Sequence, residues 1–318
     1  MRPGSWYNSA VRTNPVSSPL CIVALSLSLV LATACARRPA PDPAYVAELE
    51  AWRAKRLAGL TSDEGWLTLV GLAWLKPGTN RFGSAPGNEV VLPGAGIPPV
   101  AGLLDLADGA VTLRAAAEAG VLVNDVPTTE QWLATDRSGR ADVVRLGSLR
   151  FHVIVRADRF GVRIKDPDNR ARREFPGIEH FPIDPAARVE GVFERYQAPR
   201  EVTVASAHGP DQQMLVTGVV RFRIGAAECA LEPFVGSPED RHFFFVFRDA
   251  TAGAETYGAG RFLDAEGPEP GSTAVTLDFN RATNPPCAFT PFATCPLPPP
   301  QNVLAVRIEA GEKAPPAH

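Results

Sequence analysis

The stretch LRFHVIVRADRFGVRIKD, residues 149–166, is two apolar runs joined by ADRFG. Runs of this length around a turn rich in Gly and Asp read as a β-hairpin. The same grammar recurs upstream in WLTLVGLAWL (66–75), TNRFG (79–83), NEVVLP (88–93), GAVTLRA (109–115), GVLVND (120–125) and DVVRLG (142–147). Short strands at close spacing, punctuated by Gly, Asn and Asp, predict a β-sandwich. Downstream, 166–188 is charged and broken by prolines, which marks a connection. Strand-like runs then resume from VEGVFERY (189–196) through RHFFFVFRD (241–249) and TAVTLDFN (273–280) to NVLAVRIEAG (302–311). They predict a second β unit. Only AYVAELEAWRAKRLAGL (44–60) has a helical period, with Tyr45, Val46, Leu49, Trp52, Leu57 and Leu60 at steps of three and four.

The start of the chain concerns export. Residues 1–19 carry Arg2 and Arg12 and no acid; LCIVALSLSLVLATA (20–34) is uncharged, and Cys35 follows. A basic start, a short apolar run and small residues before the break describe a signal peptide. LATAC resembles the bacterial lipobox, which implies acylation of Cys35 and attachment to the membrane by lipid. Ala36, rather than aspartate, favours an outer-membrane, periplasm-facing position. The expected division is therefore 1–34 signal peptide, 35–43 tether, 44–165 helix plus sandwich, 166–188 connection, 189–312 C-terminal β domain and 313–318 tail. Without residues 1–34 the basic residues fall from 32 to 30 against 35 acidic, a net charge of −5. A mildly acidic chain without basic runs is not of nucleic-acid-binding type.

Chemistry concentrates in the last 80 residues. FFFVFRDATAGAETYGAGRFL (243–263) offers Asp249, Tyr257 and Arg261, and TLDFNRATNPPC (276–287) offers Asp278, Asn280 and Arg281. Alternation along a strand through 273–280 would set Thr276, Asp278 and Asn280 on one polar face. That face reads either as a ligand site or as a solvated surface with ion pairs. An arginine at a strand end suits a carboxylate or phosphate. NPPCAFTPFATCPLPPP (284–300) holds Cys287 and Cys295 in a run with seven prolines. Their spacing is too wide for a zinc knuckle, and the four interior histidines do not pair at ligand spacing, so neither metal nor cofactor is expected. In an exported chain the two cysteines are expected to form a disulfide; the alternative is a reactive Cys287 thiol.

Two resemblances add to this. TNRFGSAPGNEVVLP (79–93), GVLVNDVP (120–127) and VVRLGSLRFHV (143–153) are similar to strands of a forkhead-associated (FHA) sandwich. Ser84 stands where that fold has its phosphate-binding arginine, no Ser-x-x-His follows, and Asp125 replaces the glycine after Asn124, so phosphothreonine recognition does not carry over. GLAWLKPGTNRFGSAPGN (71–88), RDATAGAETYGAGRFL (248–263) and LDFNRATNPPCAFTPFATCPLPPPQNVLAVRIEAGEK (277–313) resemble the bacterial domain-of-unknown-function family 1684, with Thr283 where tyrosine is usual. That resemblance implies a shared fold and no activity. The expected molecule is mainly β: an N-terminal helix, an FHA-like sandwich and a second, sheet- or barrel-like C-terminal domain. Its expected role is binding a small polar or anionic ligand through Asp249, Tyr257, Arg261, Asn280 and Arg281. The alternatives are an envelope hydrolase using Asp278 as acid/base with an arginine clamp, and a protein-docking scaffold.

Overall fold

The computed structural model of this protein describes residues 41–316. The proposed signal peptide, Cys35 and most of the tether lie outside the described residues. Helix α1 spans Pro43–Thr61. Asp42 caps it by accepting from Ala44 N at 2.9 Å, and Pro43 takes the first turn, where its missing N–H is no loss. Leu49 and Leu60 are buried on the inner face, which also carries Trp52, Arg53 and Arg56. Leu57 lies outside that stripe and is exposed.

Two sheets form the sandwich. The first runs in the order Leu69–Trp74, Arg159–Lys165, Leu149–Arg156, Val144–Leu146, Leu122–Val123, Val126–Pro127. The second runs Val90–Val91, Gly78–Gly83, Gly102–Ala107, Ala110–Ala115, Glu130–Leu133. The hairpin of 149–166 closes with Arg156 opposite Arg159, so Ala157 and Asp158 make a two-residue turn. Such turns twist with their strands when the first residue has positive φ, and Ala157 sits at φ 51°. Phe151, Val153, Val162 and Ile164 of the hairpin pack against Phe82, Leu104, Val111 and Leu113 of the facing sheet. The rings of Phe82 and Phe151 meet edge-on, 5.6 Å between centroids.

The C-terminal part is a nearly closed, barrel-like sheet. Its order is Arg261–Glu266, His242–Phe247, Phe234–Val235, Gln212–Ile224, Arg188–Val204, Ala274–Asp278, with Ala227–Leu231 also paired to Gln212–Ile224. A register shift between Arg195 and Arg200 breaks the pairing of the two long strands, and bulges of this kind increase bend and twist. Six phenylalanines (Phe193, Phe222, Phe243, Phe245, Phe247 and Phe279) fill the interior.

The structure corrects the sequence reading at two places. Residues 302–311 form no strand beyond an isolated bridge between Arg248 and Val303. Their carbonyls are used otherwise: Ile308 O and Ala310 O accept from the Arg261 guanidinium, and Val306 O from Ala250 N. The strand through 273–280 also stops early, at Asp278. Asp278 caps a tight turn over Phe279–Arg281, accepting from Asn280 N at 3.1 Å. Alternation ends there, and Asn280 turns inward to complete burial.

Candidate functional site

The expected site residues separate into three groups. Asp249 and Arg261 make a buried ion pair at 3.1 Å, each side chain 1% exposed. Arg261 also donates to Ile308 O at 3.0 Å and to Ala310 O, and stacks over Phe247. Asp249 accepts further from Thr251 N, Thr251 Oγ1 and Ile308 N. Burial presses Arg261 below its ordinary value, and the Asp249 charge opposes that. Every oxygen and nitrogen of this pair faces protein. It pins the 302–311 segment across the sheet and presents nothing to a ligand.

Asp278, Asn280 and Arg281 do come together, through a partner far away in sequence. Tyr45 of α1 places its hydroxyl 2.9 Å from both Asp278 oxygens, and Asn280 Nδ2 reaches that hydroxyl at 3.1 Å. Burial first, then the Asp278 charge, pushes the Tyr45 phenol up to about 12. Asn280 also holds Asp184 N and Asp184 O at 3.0 and 2.8 Å, tying the 166–188 connection to the turn. Arg281 pairs with Asp278 at 3.4 Å and with Glu48 of α1, and lies over Trp52. Arg188 lies over Tyr45, 5.5 Å from its ring centroid. Two arginines are thus braced by aromatic rings of one helix.

These groups rim a concavity of about 510 Å³. Asp278, Arg281, Arg188, Arg241 and Asp264 are among the residues that line it. Arg241 pairs with Glu269. Among the described residues no carboxylate lies within ion-pair reach of Arg188. Asp264 keeps 63% of its side chain exposed and pairs with His242 at 3.2 Å. The protein packed around it nonetheless thins its water and raises it above the usual carboxylate range. Arg188, Arg241, Asp264, Glu48 and Tyr45 were not among the candidate site residues read from the sequence. They carry no local motif; only the closing of the sheet and the docking of α1 bring them to Asp278.

The third group is Tyr257 with the two cysteines. Cys287 and Cys295 are buried free thiols, so the expected disulfide is not formed in this structure. Cys287 N donates to Cys295 Sγ at 3.2 Å, and Tyr257 donates to Cys287 O at 3.0 Å. The short turn over Pro286–Ala288 aims the Cys287 amide at the other sulfur. An amide hydrogen bond and a thiol–thiol contact satisfy the pair without a covalent link. Elsewhere, the FHA-like positions serve local structure: Ser84 Oγ donates to Ile97 O, and Asn124 bonds Asp142 and Val143 N.

Among the solved structures, one similar chain is an uncharacterized protein of Haloarcula marismortui. It is 31% identical over 46% of this chain and 81% of its own, with a TM-score of 0.40. Two others are FHA domains. One comes from an analysis of phosphothreonine-dependent FHA interactions (21% identity, 31% of this chain and 96% of that one, TM-score 0.22). The second is the FhaA FHA domain bound to an intracellular domain (20% identity, 30% and 97%, TM-score 0.22). The resemblance to them is weak and lies in the N-terminal part. No curated protein matches the chain. Residues 173–313 match a family model described as a protein of unknown function, DUF1684.

Proposed function

For a chain whose residues 173–313 match the DUF1684 family model, which brings no activity with it, we propose a ligand-binding role at the concavity beside α1. The ligand is small and carries at least one anionic group, and it sits between Arg188, Arg241 and Arg281. One observation supports this above the rest: the Arg188 guanidinium is held over Tyr45 at the rim with no described carboxylate to neutralise it. A braced guanidinium with open donors suits a carboxylate or phosphate. The acidic groups on the same rim favour a ligand with a cationic or hydroxyl end as well. In this reading Arg261 and Asp249 leave the ligand set and become the frame beneath it. The place of action is the cell envelope, with the lipid anchor on Cys35, a reading that rests on the N-terminal sequence.

The test is isothermal titration and thermal shift with phosphate, citrate and glutamate as probes. Losing one charge-assisted contact of about 1.5–3 kcal/mol weakens binding roughly tenfold or more, and that loss is expected for Arg188→Ala. Arg114→Ala, in the sandwich, leaves binding unchanged. Equal binding by wild type and Arg188→Ala removes the concavity from consideration. A second reading, hydrolysis with a carboxyl as general acid, draws support from Asp264, raised in the same concavity and joined to His242. It shifts the catalytic role from Asp278, whose two oxygens both accept from Tyr45.

A further inference from the structure

The cysteine cluster has a neighbour that the concavity does not use. Arg163 lies on the outer face of the first sandwich sheet and is only 7% exposed. Its guanidinium lies over Trp66, 5.0 Å from the ring centroid, and NH2 is 3.5 Å from Thr294 Oγ1. Its Nε has no hydrogen-bond partner among the described residues, and no described carboxylate lies within ion-pair reach. A buried guanidinium without a counter-charge is costly. Thr294 precedes Cys295, and Trp66 itself packs against Cys287, Ala293 and Cys295. After the Asp136 carboxylate, the Cys295 thiol is a group whose ionised form would favour this cation.

We propose that Cys287 and Cys295 form a thiol–disulfide exchange site acting on low-molecular-weight disulfides, with Arg163 as the positioning residue that holds the Cys295 thiolate. The Cys287 thiolate attacks one sulfur of a disulfide RSSR. A Cys287–SR bond forms, the S–S bond breaks, and RS⁻ leaves and takes the Cys295 proton. The Cys295 thiolate, beside Arg163, then attacks Cys287 Sγ. The Cys287–Cys295 bond forms, and a second RS⁻ leaves and is protonated by water. Two electrons pass from the protein to RSSR, which becomes two thiols.

The order of attack has a physical basis. Hydrogen bonding from Cys295 holds the Cys287 thiol below its ordinary value against the effect of burial. The same contact with Cys287, together with burial, raises Cys295, while Arg163 lowers it. Cys287 is the thiol ready to attack, and Cys295 becomes available once Cys287 is capped and its demand for that proton is gone. Both thiols lie within the proline-rich loop and are only 6% and 5% exposed, a degree of burial that suits a small disulfide better than a protein one.

The experiment uses the full chain, reduced and freed of reductant, in glutathione buffers of graded ratio, followed by non-reducing peptide mapping. Wild type is expected to gain a Cys287–Cys295 disulfide reversibly, with dithiothreitol restoring both thiols. Cys295→Ser is expected to stop at a glutathione adduct on Cys287. A nearby opposite charge shifts a thiol by one unit or more, so Arg163→Met slows ring closure about tenfold, and Arg163→Lys restores most of the rate. In the Cys295→Ser background Arg163→Met leaves the rate of adduct formation unchanged, which a loss of folding would not. Two free thiols persisting in excess oxidised glutathione, or an adduct preferring Cys295 in the single-cysteine variants, would overturn the proposal.

Discussion

Replacing Arg261 by methionine separates a structural role from a ligand-binding one. Methionine keeps length and apolar volume while removing the charge and all five donors. It leaves Asp249 buried at 1% exposure with its remaining donors from Thr251 and Ile308 N, and strips Ile308 O and Ala310 O of their partner. Breaking a buried pair from one side costs about 3–5 kcal/mol. The orphaned carbonyls belong to the same network, so their loss is not simply additive. Against a typical total of about 5–15 kcal/mol, this is a severe loss, equivalent to a fall in Tm of roughly 10 °C for a domain of this size. The assay is urea unfolding followed by tryptophan fluorescence. Asp249→Leu combined with Arg261→Met is expected to cost less than the sum of the two single changes, because no unpaired charge remains. A loss below about 1 kcal/mol for Arg261→Met, where a buried unpaired group alone costs that much, would refute the placement of Arg261 as a buried strut. It would reopen Arg261 as a ligand contact.

Two further predictions concern stability. Burial first, and then the charges of Arg163 and Lys165, lower His152 to about 4 from 6.5; the unfolded chain therefore binds the extra proton between those values. Its contribution is complete above pH 6.5 and is lost as pH falls toward 4, at up to about 1.4 kcal/mol per pH unit. His152→Gln should flatten the profile of urea midpoint against pH in that window, and an unchanged profile would count against a buried neutral His152. Gly311 has φ 79°, and a Cβ there would meet Ala282 O at 2.5 Å and Phe279 O at 2.7 Å; Gly253 has φ 82° with open space around it. Gly311→Ala is expected to cost well over the 1–3 kcal/mol of backbone strain and Gly253→Ala no more than that, read as urea midpoints; equal losses would argue against the close approach at Gly311.

Much of the fold was legible from local patterns. Residues 149–166 announce the hairpin because period-two apolarity and a short turn are both local properties, and the helix was evident from its spacing. The polar residues Asp278, Asn280 and Arg281 were legible as a cluster because they are neighbours in the chain. The misread segments failed for a physical reason. NVLAVRIEAG has strand composition, yet two of its carbonyls, Ile308 O and Ala310 O, are claimed by a single buried guanidinium. DFNR has strand alternation, yet the Asp278 side chain captures the Asn280 amide and starts a turn. In both, one side chain outcompeted the ladder for backbone groups, and composition does not record that.

What the sequence determined by itself is the β architecture, the helix and which short stretches hold chemistry, since each follows from the period and polarity of a few consecutive residues. Only the tertiary structure decided which polar groups face water. Arg261 and Arg281 look alike in sequence. One is sealed against Asp249 under the 302–311 segment, and the other is braced on Trp52 at the rim of the concavity. Burial and pairing depend on what the chain brings back from more than 200 residues away, as when Tyr45 meets Asp278. Contacts over such distances arise from closure of the sheet and the docking of α1, and these have no signature in any local window.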